Sequence, residues 1–373
     1  HADCELAERR IIEAGFREGE IRIIAATTTL STGVNLPCKT VILADNKKWS
    51  FVRGNLQEVN WLVGEVRNIF GRAGRLGKNE YFGRGILIAN DHREYRQIQG
   101  AYLDAPLESL ESTFENKDIA LRVLDIVATG FGGKETEIVD FIFQTFAARK
   151  WNDADAREQI SKYIRDGIDK CLQGKLFEKT ANGDIKATPI GRVCAAKQVS
   201  IETFNLLASY VEDYSNPTIL DIAFVGALAD EVRSQYYRGI KWWNLGLRQK
   251  VSSKLKDLSN TNGLSGKIAE MSANLPELID QYKIPPYAIA LLIKDILETH
   301  ETAKAIRDFY GIPAADVRKM CLNLSWILDT MVGIAGILKP SFLPDLRVLA
   351  QCVQYQTPIS CRFLNQIQTN INR

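Results

Sequence analysis

Two arginines three residues apart in a glycine frame, Gly71-Arg72-Ala73-Gly74-Arg75, are the first candidates for chemistry in this chain. Guanidinium groups on a short turn suit a γ-phosphate, because each fork donates to more than one oxygen and glycine adds no bulk where phosphate must come close. Where such arginine fingers have been measured they contribute roughly 10³–10⁵ in rate. Upstream lies a hydroxyl-rich stretch, Ala25-Ala26-Thr27-Thr28-Thr29-Leu30-Ser31-Thr32-Gly33-Val34-Asn35-Leu36-Pro37. Thr27, Thr28 and Thr29 are small donors suited to a nucleic-acid phosphate, and Gly33 admits close backbone approach. Asn35 has the chemistry to bond a ribose or to relay between nucleotide and nucleic acid.

Positioning such groups requires a sheet and a helix. Ile21-Arg22-Ile23-Ile24-Ala25 is β-branched and predicts a buried strand, which puts the threonines at its C-terminal end, where open α/β sheets bind ligands. Residues 39–44 predict the next strand and residues 84–89 a closing one. Val59, Leu62, Val63, Val66, Ile69 and Phe70 fall at helical spacing, so the arginines would project from that helix's end. Residues 5–16 predict a short amphipathic helix, and residues 105–110 a linker.

The order of the two signals resembles the last two conserved elements of the second RecA-like lobe in superfamily-two helicases. Thr-Leu-Ser-Thr-Gly-Val-Asn-Leu-Pro at 29–37 followed by Gly-Arg-Ala-Gly-Arg at 71–75 is similar to the Ski-like branch, which includes the archaeal Hjm-type DNA repair helicases and several RNA helicases. The resemblance implies an α/β plus α chain: a second RecA-like lobe over 1–116, truncated at its N-terminus, a winged helix over 117–200, and a helical, ratchet-type domain over 201–373 that is cut short. It implies an ATP-dependent helicase in the whole protein. ATP would lie between this lobe and a missing first lobe, which would hold most of the Mg²⁺. Arg72 and Arg75 would reach the γ-phosphate, with Gly33, Asn35 and Asn68 on the nucleotide and Thr27, Thr28 and Thr29 on the nucleic acid. His1-Ala2-Asp3-Cys4 departs from the family's His-Ala-Gly-Leu. The implied partner is single-stranded or forked DNA, translocated 3′ to 5′. RNA is the alternative substrate, and a non-catalytic nucleic-acid-binding protein with a residual lobe is a further reading.

Between the two signals, residues 45–57 carry Lys47, Lys48, Trp49, Phe51 and Arg53. Rings stack on bases and cations meet phosphates, and the family's insert here is a duplex-splitting β-hairpin; a solvated loop with Trp49 packed down is the other reading. Over 117–200, helical patterns at 119–129, 135–148 and 156–173 precede a hairpin signal at 177–188, with Asn182-Gly183 at its turn. Ala187-Thr188-Pro189-Ile190-Gly191-Arg192 resembles the segment that ends the winged helix in Ski-like helicases. Trp242 and Trp243, beside Lys241 and Arg248, read either as a binding patch or as core.

Residues 314–338 predict a long helix. Val317, Met320, Cys321, Leu324, Ile327, Leu328, Met331, Ile334, Ala335 and Leu338 form one apolar stripe, with Lys319, Asn323, Trp326 and Thr330 on the other side. Lys319 and Trp326 are seven apart, within about 20° on a helix. A base stacked on Trp326 would contribute about 1–3 kcal/mol. The family's ratchet helix places a cation and a Trp at this spacing, whereas packing against another domain is the competing reading.

Composition narrows the classes. A formal charge of +2 over 373 residues makes any nucleic-acid surface local. Seven cysteines without Cys-x-x-Cys spacing, and three histidines, argue against zinc and for reduced thiols in a cytoplasmic or nuclear protein. No run of 18 apolar residues occurs, so no membrane span is expected. Two look-alikes carry no weight. Residues 128–134 approach a P-loop, but Glu135 replaces the hydroxyl that would hold magnesium, and Asp230-Glu231 lies in a helical pattern downstream of the arginines. The chain alone is therefore expected not to hydrolyse ATP. His1 is not an initiator residue, so the chain is expected to be processed, engineered or cut from something longer.

Overall fold

The computed structural model describes residues 6–27, 38–52, 55–74, 82–112, 114, 118–214, 217–237, 240–299 and 303–365. Two compact units emerge, His1–Glu111 and Ser112–Arg373.

The first unit is α/β. Helix α1 (Leu6–Glu18) leads into residues 21–27, which lie in no strand among the described residues. This corrects the strand expected at 21–25. A β-branched run becomes a strand only through a partner; among the described residues its one backbone bond is Ile21 N–H to Gly15 O at 3.0 Å, and Ile23 is 86% exposed. Strands β1 (Thr40–Leu43) and β4 (Arg84–Leu87) pair in parallel, Thr40 opposite Arg84. Between them, β2 (Lys47–Val52) and β3 (Asn55–Asn60) form an antiparallel hairpin. Helix α2 (Val63–Phe70) begins four residues later than the apolar spacing predicts. Val59 is claimed instead by cross-strand pairing with Lys48. Val63 and Val66 of α2 are buried with Ile98 and Tyr102, against Leu43, Phe70 and Leu87. Ile98 ends α3 (His92–Ile98), which Asp91 caps by accepting the Glu94 N–H at 2.7 Å, and Tyr102 lies in the π-helical turn Gln99–Leu103.

In the second unit, α4 (Ile119–Ala128), α5 (Glu135–Phe143) and α6 (Ala154–Gln173) precede a short antiparallel pair, β5 (Phe177–Lys179) and β6 (Ile185–Ala187). The second helix stops at Phe143, short of the expected 148, and a 3₁₀ turn follows over Phe146–Lys150. Asn182-Gly183 turns the hairpin, with Gly183 at φ +81°. The glycine-rich stretch that imitates a P-loop touches this hairpin: Gly133 O accepts the Ile185 N–H at 2.8 Å, and a Cβ at Gly132 would sit 2.8 Å from Ile185 O. Helix α7 (Pro189–Lys197) starts on Thr188, whose hydroxyl accepts from Gly191 N–H at 3.1 Å and donates to Lys175 O at 2.8 Å, with proline at its first position.

Next come α8 (Ile201–Asp213), α9 (Ile219–Ala227), α10 (Asp230–Tyr236), α11 (Leu245–Asn260), α12 (Gly266–Ser272), α13 (Pro285–Glu298) and α14 (Ala303–Tyr310). Helix α15 (Ala314–Leu338) is the centre of this unit, packed against α7, α8, α9, α10 and finally α16 (Leu343–Tyr355). Every member of its predicted stripe except Leu338 is buried. Thr330 is the exception on the other side: it is fully buried, its hydroxyl donating to Trp326 O at 3.0 Å. Among the described residues this helix alone is long and apolar enough to cross a membrane, and its apolar stripe is covered by its neighbours. The Asp-Glu look-alike is structural as well, since Glu231 accepts the Ser200 N–H and the Thr203 hydroxyl, each at 2.6 Å.

Gly191 fixes how α7 meets the hairpin, because a Cβ there would lie 2.1 Å from Leu176 O. Gly191→Ala should therefore destabilise the chain by about 1–3 kcal/mol, as overpacking does. Thermal unfolding measures it, and an unchanged midpoint would refute this reading of the contact.

Candidate nucleotide and nucleic-acid surfaces

The arginine turn follows α2 directly. Cys38 N–H donates to Arg72 O at 3.3 Å and Gly74 N–H donates to Cys38 O at 2.9 Å, so residues 71–74 are bolted to the chain just before β1. Arg72 is half-buried, and Asn68 is exposed in the last turn of α2. Gly74, at φ +66°, would drive a Cβ to 2.4 Å from Gly83 N. Its small size thus serves a backbone crossing, and not only room for phosphate as the sequence suggests. Arg75, Gly33, Asn35, Thr28 and Thr29 lie outside the described residues, and Thr27 is exposed at the edge of them.

The N-terminus of α2 is held from far along the chain. Glu108 accepts the Val63 N–H at 2.5 Å and the Gly64 N–H at 3.0 Å, satisfying two of the helix's orphan donors. Arg67 donates to Ala105 O at 2.8 Å. The segment expected to be a plain linker is therefore fastened to the arginine-bearing helix twice. Within α2, Glu65 accepts the Leu62 N–H at 3.0 Å and pairs with Lys48 of the hairpin. The Gly64 N–H, the Val63 N–H and the Arg67 charge hold the Glu108 carboxyl below its ordinary value. Burial pushes the Glu65 carboxyl up, but the Lys48 ammonium and the Leu62 N–H outweigh it and leave that group lowered too.

The hairpin separates the three residues predicted for it. Lys47 and Trp49 share one face, where Trp49 is 65% exposed and Lys47 lies 3.7 Å from Glu58. Lys48 turns the other way, paired with Glu65 and 5.2 Å from the centre of the Trp61 ring. The base of the hairpin is pinned by Trp61 Nε1–H to Asp45 O at 3.1 Å and by the Tyr102 hydroxyl to Asn46 O, also 3.1 Å.

In the second unit, α15, α16 and the end of α7 enclose a cleft of about 1050 Å³. Trp326 forms part of its wall and donates its indole N–H to Lys197 O at 2.8 Å. The ring is thus anchored and half-buried. Lys319 is exposed two turns earlier on the same side of the helix. Lys197, paired with Asp329, and Arg347 also line the cleft; sequence reasoning missed both, because each is an ordinary cation in its own helix. Of the tryptophan pair, Trp242 is core, its N–H on Tyr236 O at 2.9 Å, and Trp243 is 61% exposed with Lys241 Nζ 6.0 Å from its ring centre.

The helicase conserved C-terminal domain matches residues 1–77. The ATP-dependent DNA helicase Hel308 of Methanocella arvoryzae is 24% identical over 94% of this chain and 45% of its own length. The Hel308 of Caldivirga maquilingensis is 26% identical over 95% of this chain and 46% of its own length. That of Methanococcus vannielii is 34% identical over 41% of this chain and 20% of its own. The chain thus spans about half the length of the first two relatives.

Lowered pKa values at Glu65 and Glu108 set a pH dependence. The stabilisation these carboxylates give α2 is complete above about pH 4.3, the unfolded glutamate value, and is lost as the pH falls through their folded values. The amide resonances of Val63 and Gly64 should hold steady on acidification until that range is passed. A transition centred above it would refute the assignment.

Proposed function

We propose, for a chain that belongs with the Ski-like superfamily-two helicases of the Hel308 type, that it is the C-terminal half of an ATP-dependent DNA helicase. The observation that carries the proposal is the Gly71–Gly74 turn. It puts Arg72 at the end of a capped helix, bolted beside the parallel pair β1–β4, within the region that matches the helicase C-terminal domain. A cation on a rigid turn fits a γ-phosphate that arrives on the first lobe of a longer protein. ATP supplies the free energy of translocation when bound there. Arg72 and Arg75 contact its γ-phosphate, Asn68, Gly33 and Asn35 border the nucleotide, and Mg²⁺ belongs mainly to the first lobe. Thr27, Thr28 and Thr29 face the nucleic-acid backbone.

The other elements take roles in the same reading. The β2–β3 hairpin, with Lys47 and Trp49 on its open face, meets the fork of a partly single-stranded DNA. Helices α4–α7 with β5–β6 act as a winged helix, and residues 201–373 as the ratchet-type domain. Trp326 stacks on a passing base while Lys319 meets a phosphate, and the strand moves 3′ to 5′. The indole bond to Lys197 O favours this role, since a ring fixed in one orientation loses little side-chain entropy when a base stacks on it.

Two measurements test the proposal. The 373-residue chain alone should not turn over ATP, whereas the longer protein should do so when single-stranded DNA is added; turnover by the chain alone would sink the first half. Trp326→Ala should weaken single-strand binding by about ten- to hundredfold while the chain stays folded, and Trp326→Phe should keep most of the affinity. Unfolding by both variants would make Trp326 purely core, and stronger competition by RNA strands would move the substrate to RNA.

A further inference from the structure

Helix α2 is bonded to three things that the proposed function keeps apart. The turn that follows its C-cap Gly71 carries Arg72. Its first turn holds Lys48 of the hairpin through Glu65. Its N-terminal amides and Arg67 hold the segment 104–112, from which the chain runs on into the second unit. Eight residues are a little over two turns, so a shift at one end of so short a helix is passed to the other.

We infer that α2 is the coupling element of the enzyme and that Glu108 is its positioning residue, transmitting movement of the arginine turn to the hairpin and to the chain beyond residue 111. Four observations point this way. The Glu108 carboxylate takes both Val63 N–H and Gly64 N–H, a two-pronged grip that sets the direction of the helix as well as its start. Arg67, one turn on, adds a second bond to the same segment, so the segment cannot pivot about a single point. Lys48 is fixed between Glu65 and the Trp61 ring, and the hairpin base is fixed by Trp61 and Tyr102, so the hairpin is joined to α2 by side chains and not only by sequence. The arginine turn, in its turn, is bonded through its backbone to Cys38. No other described carboxylate bonds those two α2 amides, so removal of Glu108 leaves them to water.

The inference rests on the helicase reading, and two readouts keep their failures distinct. In the 373-residue chain without nucleotide, Glu108→Ala should raise hydrogen exchange across residues 63–74, the arginine turn included, with residues 118–365 unaffected. In the longer protein, Glu108→Ala and Arg67→Ala should each retain DNA-stimulated ATP hydrolysis while the ATP consumed per base pair separated rises roughly three- to tenfold, the scale on which mutations shift coupling. Glu108→Gln keeps one acceptor and should fall between Ala and the parent. Exchange confined to residues 63 and 64, or hydrolysis and unwinding that fall in proportion, would overturn the inference. A parent protein that hydrolyses no ATP would sink the helicase reading itself, and this inference with it.

Discussion

A helix that begins inside a folded chain leaves amide hydrogens with no partner, and each one kept from water without an acceptor costs on the order of 1–3 kcal/mol. Much of this structure is arranged around meeting that demand from a distance. Glu108 serves α2 across 45 residues of sequence. Asp221, buried within α9, accepts the Ile268 N–H of α12 at 2.7 Å and the Tyr210 hydroxyl of α8 at 2.6 Å, so one carboxylate joins three helices. Gly266 is required beside it, because a Cβ there would lie 1.9 Å from the Asp221 oxygen. The Thr203 hydroxyl of α8 accepts the Asp230 N–H that opens α10 and donates to Glu231. Such caps do what hydrophobic contact alone does not: they fix which residue starts a helix, and so which way its side chains point.

The same demand explains what could be read from the sequence. Helix α15 is legible, because its stripe repeats over 25 residues, and so is the Asn182-Gly183 hairpin, whose turn chemistry is local. The start of α2 was not legible. Val59 fits a helical period, yet the strand at 47–52 offers residues 55–60 a full set of backbone partners, and a ladder across six positions outweighs one apolar match. Nothing around Glu108 marks it as a cap, for its partners are 45 residues away. The run at 21–25 failed in the opposite sense, since its strand propensity met no partner among the described residues.

Candidate site residues divide in the same manner. Residue type and spacing single out Arg72, Trp49, Lys319 and Trp326 as candidates; the structure adds that Arg72 O accepts the Cys38 N–H, that the Trp326 indole donates to Lys197 O, and that Trp49 and Lys319 are exposed. A lysine in a basic stretch is not automatically a phosphate ligand: Lys48 is held by Glu65, Lys197 by Asp329 and Lys254 by Asp295. Lys250 rests 4.6 Å from the centre of the Phe309 ring and donates to Phe309 O at 2.8 Å. A charge census of the sequence counts all of these equally, whereas the fold has already committed them.

That commitment also bears on how nucleic acid would be held. The formal charge is near balance, and among the described residues several cations, Lys48, Lys197 and Lys254 among them, are already paired with carboxylates. Phosphate contacts through counterion release dominate proteins that grip a duplex with many cations, and they make binding steeply dependent on salt. A ring held by its own N–H, as Trp326 is, would contribute through stacking, which tolerates any base because every base has a π-face. An element that must bind, release and rebind a strand at each step is better served by a few such contacts than by a dense basic groove, because each must be weak enough to break.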